Sequence, residues 1–124
     1  MGLLDALLGN ASEVDATEMQ EEFARVLATG ERIDRAYVLV RDAMLFTDRR
    51  LILVDKQGVT GRKISYHSVP YRSITHFSVE TAGSFDLDAE LTISLSGGQA
   101  IVKQFGRGVD VYEVQALLAG SIPR

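Results

Sequence analysis

The chain has 124 residues, no cysteine and a formal net charge of −4 at pH 7. This length fits one domain with a single real core, and the lack of cysteine excludes disulfides, thiolate metal sites and a cysteine nucleophile. No stretch approaches the ~20 apolar residues that span a bilayer. The N-terminus lacks the basic leader of an export signal, so we expect a cytoplasmic protein.

Positive and negative side chains occupy separate blocks of the sequence. Residues 1–35 carry eight acids against three bases, residues 36–75 carry seven bases against three acids, and residues 76–124 carry six acids against three bases. A basic middle between acidic ends is compatible with an anion-binding site. It equally allows the acidic helices to lie against basic strands of the same or a neighbouring subunit. We favour this second interpretation, because nucleic-acid-binding domains usually show a clear basic excess.

The first predicted element is a short helix over residues 3–8 that is closed by Gly9 and Asn10. Its apolar face consists of Leu3, Leu4, Leu7 and Leu8. A helix this short is marginal in water, so something must hold it. We expect it to pack against protein, either the rest of the domain or a partner subunit, because a membrane anchor favours basic residues beside the leucines.

A second amphipathic helix is predicted over residues 15–29. Asp15 or Thr17 provides the N-cap, and Gly30 ends the helix. The apolar stripe consists of Met19, Phe23, Val26 and Leu27. This spacing predicts a helix that is docked on the rest of the domain through one face.

From Arg32 onward the apolar period changes to two, which is typical of strands. Seven strands are predicted: Ala36–Val40, Met44–Thr47, Arg50–Asp55, Lys63–Val69, Ser73–Glu80, Glu90–Ser96 and Gln99–Phe105. Short turns join the first three, so these are expected to be antiparallel neighbours. Pro70 is expected to end the fourth strand, a bulge is expected between Ile74 and Phe77, and Gly97-Gly98 predicts a hairpin turn.

The third of these strands is apolar on both faces. Leu51 and Leu53 point to one side, whereas Ile52 and Val54 point to the other. A small barrel can bury only one of these faces in its interior. The other face must meet the N-terminal helices or a neighbouring subunit, so Ile52 and Val54 are candidate interface residues together with the four N-terminal leucines.

The C-terminal segment predicts a last amphipathic helix, with Asp110 as N-cap and Glu113 at the capping-box position. A strand meander followed by one such helix predicts a strongly bent seven-stranded antiparallel barrel, which removes most exposed sheet edges and is plugged by the helix. We therefore predict a single domain over 1–124, with an N-terminal helical extension (1–30), a β-barrel (31–108) and a capping helix (109–122).

Two stretches of this predicted barrel resemble the bacterial pleckstrin-homology-like family, in its small stand-alone form. They are Thr47–Leu53, with its Thr-x-x-Arg-Leu element, and the more specific Tyr66–Ile74. The resemblance covers roughly residues 31–122. It implies a bent seven-stranded barrel capped by a C-terminal helix, homo-oligomers that include ring-shaped assemblies, and no established catalytic activity. Lipid-binding relatives by fold carry a long basic loop between the first two strands. That loop is only Arg41-Asp42-Ala43 here, so we expect no membrane-lipid partner.

The sequence does not predict an enzyme. It has no Gly-x-Ser-x-Gly element for a serine nucleophile. His67 and His76 could meet across a hairpin turned at residues 70–73, but a metal would need a further ligand such as Glu80, and exposed histidines on adjacent strands are more often a surface pair. We therefore expect no catalytic residue, no metal and no cofactor.

A cluster of basic residues near the predicted turns is the candidate anion-binding site. It consists of Arg49, Arg50, Arg62, Lys63 and Arg72. These side chains could converge at one rim of the barrel and hold a phosphate or an acidic peptide. They could equally be solvated turn residues and partners in subunit salt bridges, which we favour. Base-stacking aromatics between them are sparse, so we expect no nucleic-acid partner.

These observations predict a non-enzymatic interaction and assembly module that forms a homo-oligomer and presents a surface to protein partners. The alternative is a binding module for an anionic headgroup or phosphopeptide at the basic rim.

Overall fold

The structure is a computed structural model, and it describes residues 12–39, 42–57, 63–81, 89–106 and 109–123. The leucines predicted at the N-terminus and Arg62 lie outside the described residues. The elements in chain order are β1 (Ser12–Val14), α1 (Ala16–Glu22), β2 (Ile33–Val38), β3 (Asp42–Thr47), β4 (Arg50–Gln57), β5 (Lys63–Pro70), a 3₁₀ turn (Tyr71–Ser73), β6 (Ile74–Thr81), β7 (Ala89–Leu95), β8 (Ala100–Phe105) and α2 (Val111–Ser121).

The strands form two antiparallel sheets rather than one closed barrel. The first sheet has the order β1-β2-β3-β4-β5, and the second has the order β6-β7-β8. All seven predicted strands are present, and β1 adds a short strand that the sequence did not predict. The sheets separate after Pro70, which lacks an amide proton for the ladder, and the 3₁₀ turn redirects the chain. The fold is therefore PH-like, but the predicted closure of the barrel is wrong for the described strands.

The main core lies between the two sheets and α2. Leu51 and Leu53 of β4 point into it, Leu91 and Ile93 of β7 face them, and α2 covers the open end. The side chains that α2 buries there are Val111, Val114 and Leu118. This is the predicted plug: an apolar helix stripe closes the space that two strongly bent sheets leave open.

A second core lies on the opposite face of the first sheet, beneath α1. Ile52 and Val54 of β4 are fully buried there against Met19 and Phe23. The alternation predicted for β4 is therefore confirmed, because each of its faces is covered by a different layer.

The second helix is shorter than predicted. Asp15 is its N-cap and accepts a hydrogen bond from the Thr17 amide at 2.7 Å, but α1 ends at Glu22 instead of continuing to residue 29. Beyond it the chain forms turns, and tertiary contacts replace the helical pattern: the carbonyl oxygen of Val26 accepts a hydrogen bond from Arg50 Nη2.

Three local predictions are confirmed. The register between β6 and β7 shifts between Ile74 and His76. Gly97 and Gly98 both have positive φ, at 96° and 92°, as a tight hairpin turn requires. Asp110 caps α2 by accepting from the amides of the first turn. Among the described residues, no helix is long and apolar enough to cross a membrane.

Candidate functional site

A buried ion pair joins the segment after α1 to the start of β4. Arg50 Nε and Nη2 each donate to one carboxylate oxygen of Glu31, both at 2.9 Å. The Glu31 side chain is fully buried, whereas the Arg50 side chain is 24% exposed. Arg50 also donates to the Val26 carbonyl at 2.9 Å and to the Ser68 hydroxyl at 2.7 Å. One guanidinium therefore ties the turn after α1 to both β4 and β5, and we refer to the Glu31–Arg50 pair as the pin.

Other polar groups complete the solvation of the Glu31 carboxylate. The Thr47 hydroxyl donates to it at 2.6 Å, and the Ala28 amide donates at 2.9 Å. These bonds, led by that from Arg50, outweigh the cost of burial and lower the pKa of Glu31 to about 2. Gln20 of α1 reinforces the same turn, since its amide nitrogen donates to the Glu31 carbonyl and its oxygen accepts from the Ile33 amide.

Thr47 also organises the turn between β3 and β4. Its hydroxyl oxygen accepts hydrogen bonds from the amides of Arg49 and Arg50 at 3.0 and 2.9 Å. Its carbonyl accepts from the Tyr71 hydroxyl at 2.6 Å, and burial raises the pKa of Tyr71 to about 12. The two backbone amides of this turn therefore point inward and are fully used.

An open groove of about 480 Å³ lies beside the pin. Its lining residues come from three places in the chain: the turn after α1, the turn between β3 and β4, and the corner after β5. They are Val26, Leu27, Ala28, Glu31, Arg49, Arg50, Pro70 and Arg72. The volume falls within the range of about 300–1,000 Å³ that is usual for ligand-binding clefts. We refer to this feature as the arginine groove.

The predicted basic cluster is only partly assembled. Arg49, Arg50 and Arg72 line the arginine groove. Lys63 does not join them, because it pairs with Gln57 at one end of the β4–β5 hairpin whereas Arg50 pairs with Pro70 at the other. Seven strand residues separate these ends, a distance of about 20 Å. The interpretation in which all the basic residues converge at one rim therefore does not hold for Lys63, whereas the favoured interpretation of separate turn residues does not require it.

The three arginines of the groove differ in how their donors are used. Arg50 is committed to the pin and to its two other partners, so it is a structural residue rather than a free anion ligand. The guanidinium of Arg49 makes one hydrogen bond within the described residues, at 3.3 Å to the Thr29 carbonyl, and Arg72 is exposed. Neither Arg49 nor Arg72 has a carboxylate partner among the described residues.

Ile52 and Val54 are candidate interface residues that the structure places inside the chain. Both are fully buried in the second core. The sequence left open whether the N-terminal helices or a neighbouring subunit covers this face, and α1 and the turn after it provide the cover. These two side chains are therefore not available to a second copy.

The two histidines do not meet across a hairpin, an arrangement that the sequence left open. His67 lies on β5 of the first sheet and His76 on β6 of the second, and these strands do not pair. Within the described ranges, no group of three histidine or acidic side chains is placed to hold a metal ion.

The outer edge of β8 is a second surface of interest. This strand is the last in its sheet, and among the described residues no strand pairs with its free side. Val102 is 52% exposed at its centre, and its neighbours at Ala100 and Gln104 are also exposed. The charge of Lys103 is paired, because its ammonium lies 2.7 Å from the carboxylate of Asp42 in β3 and its side chain is only 13% exposed.

Sequence reasoning missed Glu31, Thr47 and the apolar wall of the groove. Glu31 follows Gly30 within an acidic block, and nothing in its immediate neighbours distinguishes it from the solvated glutamates of α1. Val26 and Leu27 were assigned to a helix stripe, whereas they leave the helical pattern and line the groove. The only local signal was Thr47 preceding two arginines, a pattern that suited a turn as well as a site.

The fold and the sequence place this chain among known proteins. A family model for the bacterial PH (pleckstrin homology) domain matches residues 2–122. The chain belongs to the bacterial PH domain family. The resemblance inferred from Thr47–Leu53 and Tyr66–Ile74 is therefore confirmed.

Relatives of this bacterial PH domain include two proteins of Bacillus subtilis (strain 168). The chain is 54% identical over 121 residues to the uncharacterized protein YjqA, and the alignment covers 96% of this chain and 97% of YjqA. It is 33% identical over 93 residues to the uncharacterized protein YozO, and the alignment covers 75% of this chain and 80% of YozO.

Solved structures with the same fold include two from Shewanella. A DUF1696-family protein with a pleckstrin-homology domain from Shewanella loihica PV-4 is 49% identical with a TM-score of 0.82, over 93% of this chain and 99% of that one. A pleckstrin homology domain from Shewanella amazonensis SB2B is 52% identical with a TM-score of 0.79, and the match covers 99% of this chain and 100% of that one. The fold is therefore that of a bacterial PH domain.

Proposed function

We propose that this bacterial PH domain is a non-catalytic module that assembles into a homo-oligomer and presents a surface to protein partners. The observation that carries the proposal is the outer edge of β8, with which no strand pairs in the part of the chain that the structure describes. PH folds generally serve as binding modules, and this supports a role without catalysis, although fold alone does not decide function.

An open strand edge is a template for pairing with another chain, and proteins usually protect such edges with charges, proline or bulges. Two other edge strands of this domain carry such protection. Lys63 and Pro70 mark the two ends of β5, and the register of β6 is interrupted near His76. In β8 the outward-facing row consists of Ala100, Val102 and Gln104.

Lys103 is the one residue of β8 that could protect the edge by charge. The carboxylate of Asp42 lies 2.7 Å from its ammonium and neutralises this charge. Among the described residues no strand pairs with the backbone groups of this edge, and Val102 is exposed beside them. This combination favours contact with a second copy. If the second copy offers a different edge, the contact is head-to-tail and can close into a ring.

Light scattering coupled to size-exclusion chromatography tests the proposal on the full chain. We expect the wild-type protein at micromolar concentration to have a mass that is a multiple of 13.6 kDa. Val102→Lys places a charge at the centre of the edge and is expected to shift the protein to monomers. Gln99→Lys adds the same charge in the exposed turn just before β8 and is the matched control.

Two results would contradict this proposal. If the wild-type protein is monomeric at these concentrations, the proposed assembly into a homo-oligomer is wrong. A Val102→Lys variant that keeps the wild-type mass shows that the β8 edge does not carry the contact.

A further inference from the structure

We propose that the arginine groove binds a short acidic peptide segment of a protein partner, in which carboxylates alternate with apolar side chains. The inference extends the proposed protein-binding function, but it uses residues that are separate from the β8 edge. Failure of one proposal can therefore be distinguished from failure of the other.

The groove carries an uncompensated positive charge. Its single acid is Glu31, which is fully buried and matched by Arg50. Arg49 and Arg72 therefore remain as two exposed cations at the same opening, in a chain with a net charge of −4. Each guanidinium presents a planar fork of donors that suits a carboxylate. Charge complementarity thus favours an occupant with at least two acidic groups.

One wall of the groove is apolar. Val26 and Leu27 are only half-buried, and Pro70, which also lines the groove, is exposed. A small inorganic anion would leave these carbon surfaces in contact with water. A peptide that alternates acidic and apolar side chains would cover them while its carboxylates reach the arginines.

The groove is held in shape before a ligand arrives. Arg50 holds the Val26 carbonyl at 2.9 Å, Glu31 accepts from the Ala28 amide, and Gln20 joins α1 to Glu31 and Ile33. The apolar wall is therefore fixed by the pin. A preorganised wall lowers the entropic cost of binding a flexible segment.

The geometry disfavours a phosphate group as the main ligand. Phosphate sites commonly use convergent backbone amides. Here the amides of Arg49 and Arg50 donate to the Thr47 hydroxyl, and the Ala28 amide donates to Glu31. An anionic membrane is disfavoured as well, because the groove lining offers only two exposed cations, Arg49 and Arg72, and membrane attraction grows with the number of basic residues near the surface.

Fluorescence anisotropy with synthetic peptides tests the inference. The first probe is a short labelled peptide in which aspartate and leucine alternate, and it is expected to bind the wild-type chain in a salt-sensitive manner. Replacing its aspartates by asparagine, or its leucines by serine, is expected to weaken binding by about tenfold or more. A serine peptide that binds as well as the leucine peptide would overturn the inference, because the apolar wall would then play no part.

Protein variants provide the matching test. Arg49→Gln combined with Arg72→Gln is expected to weaken peptide binding by about tenfold or more. Lys56→Gln combined with Lys63→Gln removes two charges from the opposite end of the same hairpin, where Lys56 pairs with Ile64. This control is expected to change the affinity less than about twofold, because its charges lie beyond a Debye length of about 8–10 Å.

Inorganic phosphate and phosphatidylserine vesicles are the competing probes. Binding to either of these, with no binding of the aspartate–leucine peptide, would overturn the inference in favour of an anion or membrane site. Equal peptide affinity in the groove variant and the wild type would also overturn it. If the groove variant does not fold, the comparison of aspartate and asparagine peptides on the wild-type chain still decides the question.

Discussion

The two faces of β4 open onto two cores that are closed in different ways. The main core is covered by the second sheet and by the 11 residues of α2, which buries three of its own apolar side chains. The second core is covered by the seven residues of α1, of which only Met19 is buried, and by the turn that follows. A helix this short has little stability of its own. The polar tie between α2 and the first sheet, the Arg35–Glu113 ion pair at 2.7 Å, is partly exposed to water. The second core depends in addition on the pin, whose carboxylate is fully buried.

This difference explains why the arginine groove lies where it does. The turn after α1 has to leave the helical pattern in order to bring Glu31 to Arg50. In doing so it exposes part of Val26 and Leu27 beside the arginines. The polar contact that closes the weaker core therefore also builds the wall of the candidate site.

The largest expected loss of stability comes from replacing a buried phenylalanine by alanine, and the same substitution can be made in each of the two cores. Phe46 is buried in the main core, edge-on to Tyr37 with ring centroids 6.0 Å apart. Phe46→Ala is expected to lower the free energy of unfolding by about 3–5 kcal/mol. Backbone amides throughout the domain should then exchange their hydrogens faster. Urea denaturation and amide hydrogen exchange provide the measurements.

Phe23→Ala is the counterpart in the second core, where Phe23 lies edge-on to Tyr66. We expect its loss to lie at the lower end of the same range, about 3 kcal/mol, since Phe23 belongs to the thinner cover. Faster exchange should be concentrated in residues 16–32, while the amides between β3 and β4 remain protected. Uniform acceleration across both sheets would show that the two cores unfold as one unit.

The pin is the next largest contribution and makes the second core sensitive to acid. The pKa of Glu31 is lowered from 4.5 to about 2 in the folded chain. The stabilisation is therefore complete above pH 4.5 and is lost as the pH falls toward 2, because the unfolded chain binds the proton first. The shift corresponds to about 3 kcal/mol. Urea denaturation at a series of pH values measures this loss.

Glu31→Gln is expected to remove this part of the acid dependence. At neutral pH the variant should be about 3 kcal/mol less stable than the wild type, because Arg50 loses its anionic partner, and the two should converge near pH 2. Asp34→Asn is the control: Asp34 pairs with Arg32 at 3.0 Å but both side chains are exposed, so a change below about 1 kcal/mol is expected. If the free energy of unfolding depends on pH in the same way for the wild type and for Glu31→Gln, the pin does not stabilise the fold.

Much of the fold could be predicted because its signals are local. Strict alternation in β7, the Gly97-Gly98 turn and the Asp110 cap each act within a few residues, and each was confirmed. The failure at α1 has the opposite cause. Residues 23–29 have a helical apolar spacing, but the hydrogen bond from Arg50 to Val26 joins positions 24 residues apart, and no local pattern reports it.

The candidate site shows the same division. The sequence marked Arg49, Arg50 and Arg72 as basic residues at turns, and the structure brings these three together. It could not show that Arg50 is already used, since its partner Glu31 is 19 residues away and looks like an ordinary surface acid. Barrel closure failed for a related reason, because whether the outer strands meet depends on sheet curvature rather than on alternation.

The smallest expected effect compares the two helix caps. Asp110 accepts from the amides of Tyr112 and Glu113 at the start of α2, and Asp15 accepts from the amide of Thr17 at the start of α1. Replacing either aspartate by alanine removes a comparable cap and is expected to cost about 1 kcal/mol of local helix stability. The effect on the free energy of unfolding of the whole domain should nevertheless differ, because the two helices close different cores.

Asp110→Ala is expected to lower the global free energy of unfolding, since α2 is part of the main core. Asp15→Ala is expected to leave the global value nearly unchanged and to raise hydrogen exchange in α1 alone, because the pin and Gln20 still hold the turn beyond the helix. Combining Asp15→Ala with Glu31→Gln removes both supports, so its loss should exceed the sum of the single losses. Simple additivity would show that the cap and the pin stabilise the second core independently of each other.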